Sequence, residues 1–335
     1  MPVALFNEFE RLIRRDPAQR GLTGSDSQFG PLCEGHLEAA AAHLAEFASH
    51  VGLVTGFYVP HGDVPAAETD GPLGTALLAG ALNATGIEVA ILTDERCADA
   101  VICALSAFGT IEQSVLVYPH SSTQWLDDFY TSGPGRQLTH LISVERVGPS
   151  HTVESHRSQP GHSPTSRRRF AEMVPDACRD RCHNMRGDVI DGHTADMHRL
   201  FDELPAYRPQ AKTIGIGDGG NEIGMGTVLW EQLERRLDGP QSGRVPCRIP
   251  TDWTIVAGTS DWGAYALAAA VVVQKNRVDV LREWDREHQR RVLHHMVENG
   301  PAIDGVTGRR EPTVDGLPFL TYIQPWEGIR GLLEL

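Results

Sequence analysis

Short apolar segments rich in β-branched residues alternate with helical segments along most of this chain. Two stretches with helical spacing lie within residues 1–50 and precede the first strand-like run at 51–59. Strands that alternate with helices are typical of helix layers packed on a largely parallel sheet. We therefore predict an α/β fold: a layered, largely parallel sheet with flanking helices and an N-terminal helical extension. The predicted strands are 51–59, 88–92, 114–117, 138–144, 213–216 and 253–256, and the predicted helices are 73–84, 98–108, 123–130, 197–204, 222–237 and 262–274.

The length and apolar content allow a large core. The chain has 335 residues, of which 41% are hydrophobic and 22% charged, so disorder as the general state is excluded. We divide it into a helical segment at 1–50 and an α/β domain at 51–335. Residues 148–183 interrupt the alternation and begin with a stretch rich in Ser, Pro, His and Arg. Such a stretch buries little apolar surface, so we predict a mobile insertion there.

The charge balance narrows the class of partner. Lys and Arg total 30 against 44 Asp and Glu, a formal charge of −14, which argues against nucleic acid or an anionic membrane as partner. Six scattered cysteines do not form a disulfide framework. The N-terminus lacks the pattern of a secretory signal, and the longest apolar run, near 264–273, is shorter than the ~20 residues of a membrane span. We therefore expect a cytoplasmic location.

The most informative motif is KTIGIGDGGNEIGMG at 212–226, which has six glycines, five of them after a predicted strand. Three oxygen-bearing side chains, Asp218, Asn221 and Glu222, lie within it. Oxygen ligands of this kind suit Mg²⁺ or Mn²⁺. The alternative is an ordinary helix start, with Asn221 as the N-cap and Glu222 in the first turn. We favour the functional interpretation because a helix start does not account for the density of glycine.

The same motif formally matches a dinucleotide-binding fingerprint, Gly215-x-Gly217-x-x-Gly220. In that fingerprint, backbone amides contact a pyrophosphate at the start of a helix. Asp218 would place a negative charge inside this loop, which disfavours a phosphate. A dinucleotide is therefore the less favoured interpretation of the motif.

A second acidic loop follows the first predicted strand. Glu68 and Asp70 are two positions apart in an extended segment, so their side chains should point to the same side. A simple Asp-Gly turn that caps the next helix explains the segment equally well. If this loop and the loop containing Asp218 both follow strands of one sheet, their acids face each other across a cleft.

Two arginines and a further acidic turn complete the candidate set. Arg146 follows the predicted strand 138–144, and Arg186 follows the insertion. Either guanidinium can bind a substrate carboxylate, and a surface ion pair is an equally good explanation of each. Asp304 lies in an Asp-Gly turn near the C-terminus, a weak signal because such turns are common.

Several motifs, taken in order, resemble the D-glutamate cyclase family from about Gly52 to the C-terminus. They are AETDGPLG at 67–74, ISVERVG at 142–148, NMRG at 184–187, IGIGDGGNEIGMG at 214–226, TSDWGAYAL at 259–267 and AIDGVTGRREPTVDGLP at 302–318. The chain departs from the family in its long segment between Arg146 and Asn184. It also has Asp261 where the family pattern leads us to expect Asn.

The resemblance implies conversion of D-glutamate to 5-oxo-D-proline with loss of water, assisted by a divalent cation, Mg²⁺ or Mn²⁺. It implies a lyase with a small-molecule substrate and no nucleic-acid or membrane partner, and it leaves homo-oligomer formation open. Two other classes stay open: a metal-dependent hydrolase of a small anionic substrate, and an amino-acid-binding regulator without activity.

On this basis we assign site residues as hypotheses. The metal ligands are Asp70, Asp218 and Glu222. The catalytic group comprises Glu68, Asp218, Asn221 and Asp304, with Glu68 or Asp304 as the general base. Substrate contacts come from Arg146 or Arg186, which bind the α-carboxylate, and from the amides of Gly217, Gly219 and Gly220, which bind the oxyanion.

Overall fold

The computed structural model describes residues 2–23, 30–109, 115–160 and 163–335. Its strands are β1 His50–Thr55, β2 Tyr58–Val59, β3 Ala66–Ala67, β4 Glu88–Asp94, β5 Val115–Tyr118, β6 His140–Val144, β7 Lys212–Gly217, β8 Trp253–Val256, β9 Thr313–Val314 and β10 Leu317–Pro318. Its helices are α1 Pro2–Ile13, α2 His36–Phe47, α3 Pro72–Ala84, α4 Ala98–Phe108, α5 Thr123–Thr131, α6 Val153–Ser158, α7 Pro164–Met173, α8 Arg199–Tyr207, α9 Trp230–Arg236, α10 Ser260–Gln274, α11 Arg286–Asn299, α12 Phe319–Tyr322 and α13 Gln324–Leu332. Ser114, which begins one predicted strand, lies outside the described residues.

The centre of the fold is a parallel sheet. Within the described residues it has six strands in the order β5-β4-β1-β6-β7-β8, and each neighbouring pair is parallel. Ranked along the chain, this order is 3-2-1-4-5-6, the order of doubly wound α/β folds. The predicted fold class is therefore confirmed. In such sheets ligands bind beyond the carboxyl ends of the strands, where the order reverses, and here that point lies between β1 and β6.

Successive side chains of a central strand point to opposite faces of the sheet, and each face packs against a separate hydrophobic core. In β1, Leu53 packs with helices α1, α2, α3, α4, α10 and α11, whereas Val54 packs on the opposite face with α5, α8 and α9. This alternation follows from the two-residue period of a strand. The N-terminal helices α1 and α2 thus share the larger core with the sheet.

Helices α3 and α10 lie in close contact at the centre of the larger layer. A Cβ atom added to Gly74 would lie 2.8 Å from both the Cβ of Ala264 and the Cα of Asp261. Small residues at these positions allow the N-terminal ends of the two helices to meet. Because both helices begin at the carboxyl edge of the sheet, this packing brings Asp70 next to Asp261.

Two predicted segments differ from the structure. The predicted helix 222–237 is helical only over α9, Trp230–Arg236. Before it, the chain forms turns: Gly224 has a φ of 109° and its N–H donates to Ile249, which prevents a continuous helix. The C-terminal part, which lacked a clear helical period, contains α12 and α13, and α13 packs on α1 and α10.

The predicted insertion 148–183 contains two helices, α6 and α7, with Thr152 and Ser163 as their N-caps. Phe170 of α7 is buried against Trp230, with ring centroids 5.2 Å apart. The mobility of the segment remains a prediction. Among the described residues, no helix combines the length and apolar character needed to cross a bilayer.

His140, a buried histidine at the start of β6 that pairs with His43 of α2, should make stability depend on pH. His140 is fully buried, and its Nε2 lies 2.9 Å from the Nδ1 of His43. Burial lowers the pKa of His140 to about 4, whereas a histidine in the unfolded chain titrates near 6.5. Its contribution to the free energy of unfolding is therefore complete above pH 6.5 and is lost as the pH falls towards 4. The loss is about 3 kcal/mol.

Urea unfolding of wild type and His140→Gln at pH 7.0, 5.5 and 4.0 tests this prediction. Between pH 7.0 and 4.0 the wild type should lose about 3 kcal/mol more than the variant. His120→Gln, at an exposed histidine, is the matched control and should follow the wild type. Parallel pH profiles of wild type and His140→Gln would contradict the prediction.

Candidate active site

A cavity of about 370 Å³ opens at the carboxyl edge of the sheet, beside the point where the strand order reverses. Its wall contains residues that follow β1, β6 and β7, together with residues from the N-terminal segment and the 305–308 turn. The carboxylates in this wall are Glu68, Glu145, Asp218 and Glu222, with Asp238 further along. The cavity is therefore acidic on the side nearest the sheet.

Three buried carboxylates converge beside this cavity. Asp70, Glu145 and Asp218 each offer an oxygen, and these oxygens all lie within 4.8 Å of one another. The predicted convergence of Asp70 and Asp218 from loops distant in sequence is thus present. Three carboxylate oxygens at this spacing form a donor set that suits a hard divalent cation.

The start of α10 fixes the position of Asp70. The Asp70 Oδ2 atom accepts a hydrogen bond from the Ser260 N–H at 2.8 Å, and Oδ1 accepts one from the Asp261 N–H at 2.8 Å. These amides belong to the first turn of α10, whose dipole favours a negative charge. Asp70 therefore has little freedom to turn away from the cluster.

A backbone turn at the end of β6 directs Glu145 into the cluster. Glu145 has a φ of 47°, an uncommon value for a residue other than glycine. The Ser260 hydroxyl donates to Glu145 Oε2. On its other side, a Cβ atom added to Gly71 would lie 2.8 Å from the Glu145 Cβ. The glycine of the ETDGP motif thus leaves space for the Glu145 side chain.

Asp218 forms an ion pair with an arginine from the N-terminal segment. Arg20 Nη1 contacts Asp218 Oδ2, and its Nη2 lies 3.0 Å from Asp315 Oδ1. The Arg20 side chain is only 16% exposed. The residues between α1 and α2 therefore contribute a charged group to the same site as the strand-end loops.

Ionisation of all the carboxylates of this site at the same time is energetically unfavourable. The pKa values of Glu68, Asp70, Glu145 and Asp218 are all raised well above their ordinary values. Burial is the largest cause in each case, and neighbouring carboxylates raise the pKa values further. A bound cation would relieve both effects.

Two buried oxygen atoms in the cavity wall lack partners. Among the described residues, nothing donates a hydrogen bond to Glu68 Oε1 or to Asn221 Oδ1. Glu68 is 6% exposed and Asn221 is 1% exposed. Buried oxygens of this kind usually have partners, so these two point to a ligand. With the Asp70–Glu145–Asp218 cluster, they form a set of oxygen atoms that could bind a divalent cation and a hydrogen-bond donor of a ligand.

The glycine-rich motif encloses the side chain of Glu222. Its carboxylate accepts hydrogen bonds from the N–H groups of Gly219 at 2.6 Å and Gly220 at 2.7 Å. A Cβ atom added to Gly217 would lie 2.8 Å from the same carboxyl group. Glu222 thus accepts hydrogen bonds from two of the three amides that were expected to bind an oxyanion. These two amides are not free to bind a pyrophosphate, and no helix of the described residues begins at Asn221.

The two candidate arginines have different environments. Arg146 is fully buried and donates to Gly56 O at 2.8 Å, Asp94 Oδ2 at 2.7 Å, Thr194 Oγ1 at 2.8 Å and Ala195 O at 2.9 Å. It is absent from the cavity wall. Arg186 is exposed and lines the cavity, and its guanidinium has no hydrogen bond to any part of the chain that the structure describes. Arg186 is therefore the one of the two that is available to a ligand.

Asp304 organises two turns and does not face the cavity. Its Oδ1 accepts the N–H groups of Val306 and Thr307, and its Oδ2 accepts the Thr313 hydroxyl and the Gly316 N–H. Both oxygens are therefore occupied. The second turn carries Asp315, so Asp304 acts on the site through the position of Asp315.

Asp261, where the family pattern led us to expect Asn, accepts hydrogen bonds through both of its carboxylate oxygens. Its Oδ1 accepts the N–H groups of Gly71 at 2.9 Å and Gly74 at 2.6 Å, and its Oδ2 accepts the Tyr322 hydroxyl at 2.8 Å. Burial raises its pKa to about 6. Asp261 thus joins the starts of α3 and α10 behind Asp70.

Sequence reasoning overlooked Glu145 and Arg20. Glu145 directly follows a strand, as Asp218 does, and that signal was present in ISVERVG beside the arginine that we selected. Arg20 follows a helix and has no motif around it, so no local signal indicates its role. Its place in the site depends on the packing of the N-terminal segment against the glycine-rich loop.

The fold and the site together define an α/β protein with a carboxylate-lined small-molecule cavity at the switch point of a doubly wound sheet. A family model described as "D-glutamate cyclase-like, C-terminal" matches residues 9–160 and 170–327. The chain belongs to this family, which confirms the resemblance seen in its motifs. The unmatched residues 161–169 lie within the predicted insertion.

Human mitochondrial D-glutamate cyclase is 29% identical to this chain over 342 residues. The aligned region covers 93% of this chain and 49% of the human protein. The chain therefore spans about half the length of that relative.

Proposed function

We propose that this protein is a lyase that converts D-glutamate into 5-oxo-D-proline with loss of water, assisted by a divalent cation. The observation that carries the proposal is the convergence of Asp70, Glu145 and Asp218 beside an acidic cavity in a member of the D-glutamate cyclase-like family. In this reaction the substrate's own α-amine attacks its γ-carboxyl carbon, one C–O bond of that carboxyl group breaks, and the departing oxygen takes the two protons lost from the ammonium group and leaves as water. The protein must therefore bend the substrate, remove a proton and stabilise negative charge on oxygen.

Asp70, Glu145 and Asp218 would hold the cation. Glu145 takes the third position, which the sequence suggested for Glu222, because the Glu222 carboxylate is bound by the glycine loop. A bound Mg²⁺ or Mn²⁺ would offset the charge of the γ-carboxylate and so make its carbon a better electrophile. Asn221, whose Oδ1 is buried and lacks a partner among the described residues, would orient the substrate beside it.

Glu68 is the proposed general base. It lies in the cavity wall next to the cluster, and its Oε1 accepts no hydrogen bond from the described residues. Burial raises its pKa well above the ordinary value, towards the range in which a carboxylate can take a proton from an ammonium group. Asp304 does not suit this role because its two oxygens accept four hydrogen bonds.

Arg186 would bind the α-carboxylate at the mouth of the cavity. Its guanidinium fork matches a carboxylate, and it lies in the wall with Asn184 and His61. A substrate held by Arg186 at one end and beside the acidic cluster at the other would have both of its carboxylates fixed in the cavity. The protein would supply this near-attack geometry through its fixed wall.

Incubation with D-glutamate and detection of 5-oxoproline by mass tests the proposal. The assay is run after chelation with EDTA, and again after addition of Mn²⁺ or Mg²⁺. We expect product with added metal and a loss of at least about 100-fold after chelation. Activity that survives thorough chelation would remove the cation from the mechanism and retain the cyclase.

Absence of product under every metal condition would refute the cyclase. Stabilisation by D-glutamate without turnover would then favour an amino-acid-binding regulator. Hydrolysis of phosphate or amide substrates that requires metal would favour a hydrolase.

Replacement Gly305→Ala tests the role of Glu68 without changing any charge. A Cβ atom added to Gly305 would overlap Glu68 Oε2, so the carboxylate must move away from its position in the wall. Because correct placement of a general base contributes about 10²–10⁴-fold to a rate, we expect kcat to fall by at least about tenfold. The fold should persist, since the overlap is with the end of a side chain.

Gly192→Ala is the matched control, because nothing lies within 4 Å of a Cβ atom added there. It should retain wild-type kcat. Equal kcat values for Gly305→Ala and wild type would rule out Glu68 as the base in this position.

A further inference from the structure

The segment between α1 and α2 holds Arg20 firmly by its backbone. The carboxylate of Asp16 accepts hydrogen bonds from the Arg20 N–H at 2.8 Å and from the Gly21 N–H at 2.7 Å. Leu22 is buried in the smaller core, next to Leu237 and the glycine-rich loop. The main chain is therefore anchored on both sides of Arg20, and a change of ligand at its guanidinium requires only side-chain motion.

The guanidinium makes two kinds of contact. It binds Asp315 through both terminal nitrogens, with Nη1 3.3 Å from Oδ2 and Nη2 3.0 Å from Oδ1. Towards Asp218 it makes one contact, from Nη1 to Oδ2. A bidentate pair is stronger and more directional than a single contact. Asp315 therefore fixes the orientation of the guanidinium, and Arg20 can give up its contact with Asp218 while both hydrogen bonds to Asp315 remain.

This single contact involves a carboxylate that the cation site needs. Asp218 belongs to the triad that can hold a metal, and the Arg20 guanidinium already compensates its charge. Glu68, Asp70 and Glu145 make no ion pair with any cation in the described part of the chain. Arg20 is therefore the positive charge that the folded chain itself supplies to this acidic cluster.

We propose that Arg20 is a tethered cation that competes with the divalent cation for Asp218 and then binds the substrate's γ-carboxylate. Arg20 gives up Asp218 when a divalent cation binds there and keeps its two hydrogen bonds to Asp315. The Nη1 N–H that faced Asp218 is released and remains beside the cluster, where the γ-carboxyl group of the substrate would lie, while Nη1 keeps its bond to Asp315. This inference rests on the proposed function for the identity of the substrate, whereas the competition for Asp218 concerns the metal alone.

Mn²⁺ binding to the substrate-free protein, followed by electron paramagnetic resonance, tests the competition directly. The proteins compared are wild type, Arg20→Gln, Arg20→Lys and the control Arg15→Gln, whose arginine contacts Gln324 on the surface. Arg20→Gln should bind Mn²⁺ at least about tenfold more tightly, since it removes a competing charge. Arg20→Lys restores that charge and should return the affinity to within about threefold of wild type. Arg15→Gln should match wild type.

The affinity for substrate should change in the opposite direction to the affinity for Mn²⁺. With saturating Mn²⁺, we expect both Arg20→Gln and Arg20→Lys to raise KM for D-glutamate, by about 10–100-fold for Arg20→Gln, the range of a lost hydrogen bond to a charged group. Lysine cannot bind Asp315 in a fork and a second carboxylate at once. A merely structural role of Arg20 would weaken Mn²⁺ binding and lower the melting temperature instead.

The proposal is overturned if Arg20→Gln binds Mn²⁺ no more tightly than wild type, or if wild type binds no Mn²⁺. It is also overturned if KM is unchanged in Arg20→Gln while D-glutamate is turned over. Failure of the cyclase proposal has a different signature. Wild type would then form no 5-oxoproline, while the Mn²⁺ comparison between wild type and Arg20→Gln would still show the competition.

Discussion

Replacement Asp218→Asn should reduce D-glutamate turnover by at least about 100-fold while the protein stays folded. Loss of groups that merely orient metal ligands costs about 10–100-fold, so loss of a ligand should cost more. Asn has nearly the volume of Asp, and burial raises the pKa of Asp218 well above its ordinary value. Neighbouring carboxylates disfavour its ionised form as well, and in the variant Arg20 keeps Asp315 as a partner, so the variant should melt close to the wild-type temperature in EDTA.

The melting temperature with and without Mn²⁺ makes this test specific. Wild type should gain stability with Mn²⁺, by about 2.7 kcal/mol at a hundred times Kd, and Asp218→Asn should gain little. The control Asp99→Asn changes an exposed acid of α4 and should retain both turnover and the Mn²⁺ effect. Near-wild-type turnover in Asp218→Asn would remove Asp218 from the site.

Replacement Arg146→Met should lower the free energy of unfolding by about 3–5 kcal/mol, the cost of breaking a buried ion pair. The change leaves Asp94 buried without its cation and removes the donor to Gly56 O, Thr194 Oγ1 and Ala195 O. Burial by itself raises the pKa of Asp94, and the Arg146 charge, together with hydrogen bonds from Arg146, Ala195 and Cys97, reverses that shift. Without Arg146, the folded state must hold an unpaired carboxylate.

Arg186→Met is the matched comparison, because Arg186 is exposed and lines the cavity. It should leave the free energy of unfolding within about 0.5 kcal/mol of wild type and raise KM. Addition of Asp94→Asn to Arg146→Met should recover part of the lost stability, since the orphaned charge is removed. If Arg146→Met instead kept full stability and raised KM, Arg146 would be a substrate ligand.

Much of the fold was predictable because its signals are local. The alternation in β1, which sends Leu53 and Val54 to opposite cores, is visible in the apolar pattern. The helices α4 and α10 end where their apolar segments end. The helix predicted to begin at Glu222 was wrong over its first part. There, the Glu222 carboxylate accepts hydrogen bonds from the glycine amides, and the spacing of apolar residues does not predict this contact.

The acidic loops were also identifiable, because parallel strands bring their carboxyl ends to one edge. This rule identified Asp70 and Asp218, whose oxygens do lie together. The rule did not predict that Glu145 would join the site whereas its neighbour Arg146 would point away from it. A positive φ at Glu145 directs that side chain towards Ser260, whereas Arg146 reaches the end of β4 on the opposite side. Two adjacent residues thus contact different halves of the sheet.

The sequence by itself determined the class of fold and the short list of acids at strand ends, because periodicity, glycine content and side-chain chemistry belong to neighbouring residues. The tertiary structure alone decided which carboxylates share one site, which arginine is buried, and that Arg20 reaches Asp218 from the N-terminal segment. The physical reason is that these charges interact strongly only when segments far apart in the chain come within a few ångströms in a water-poor cavity.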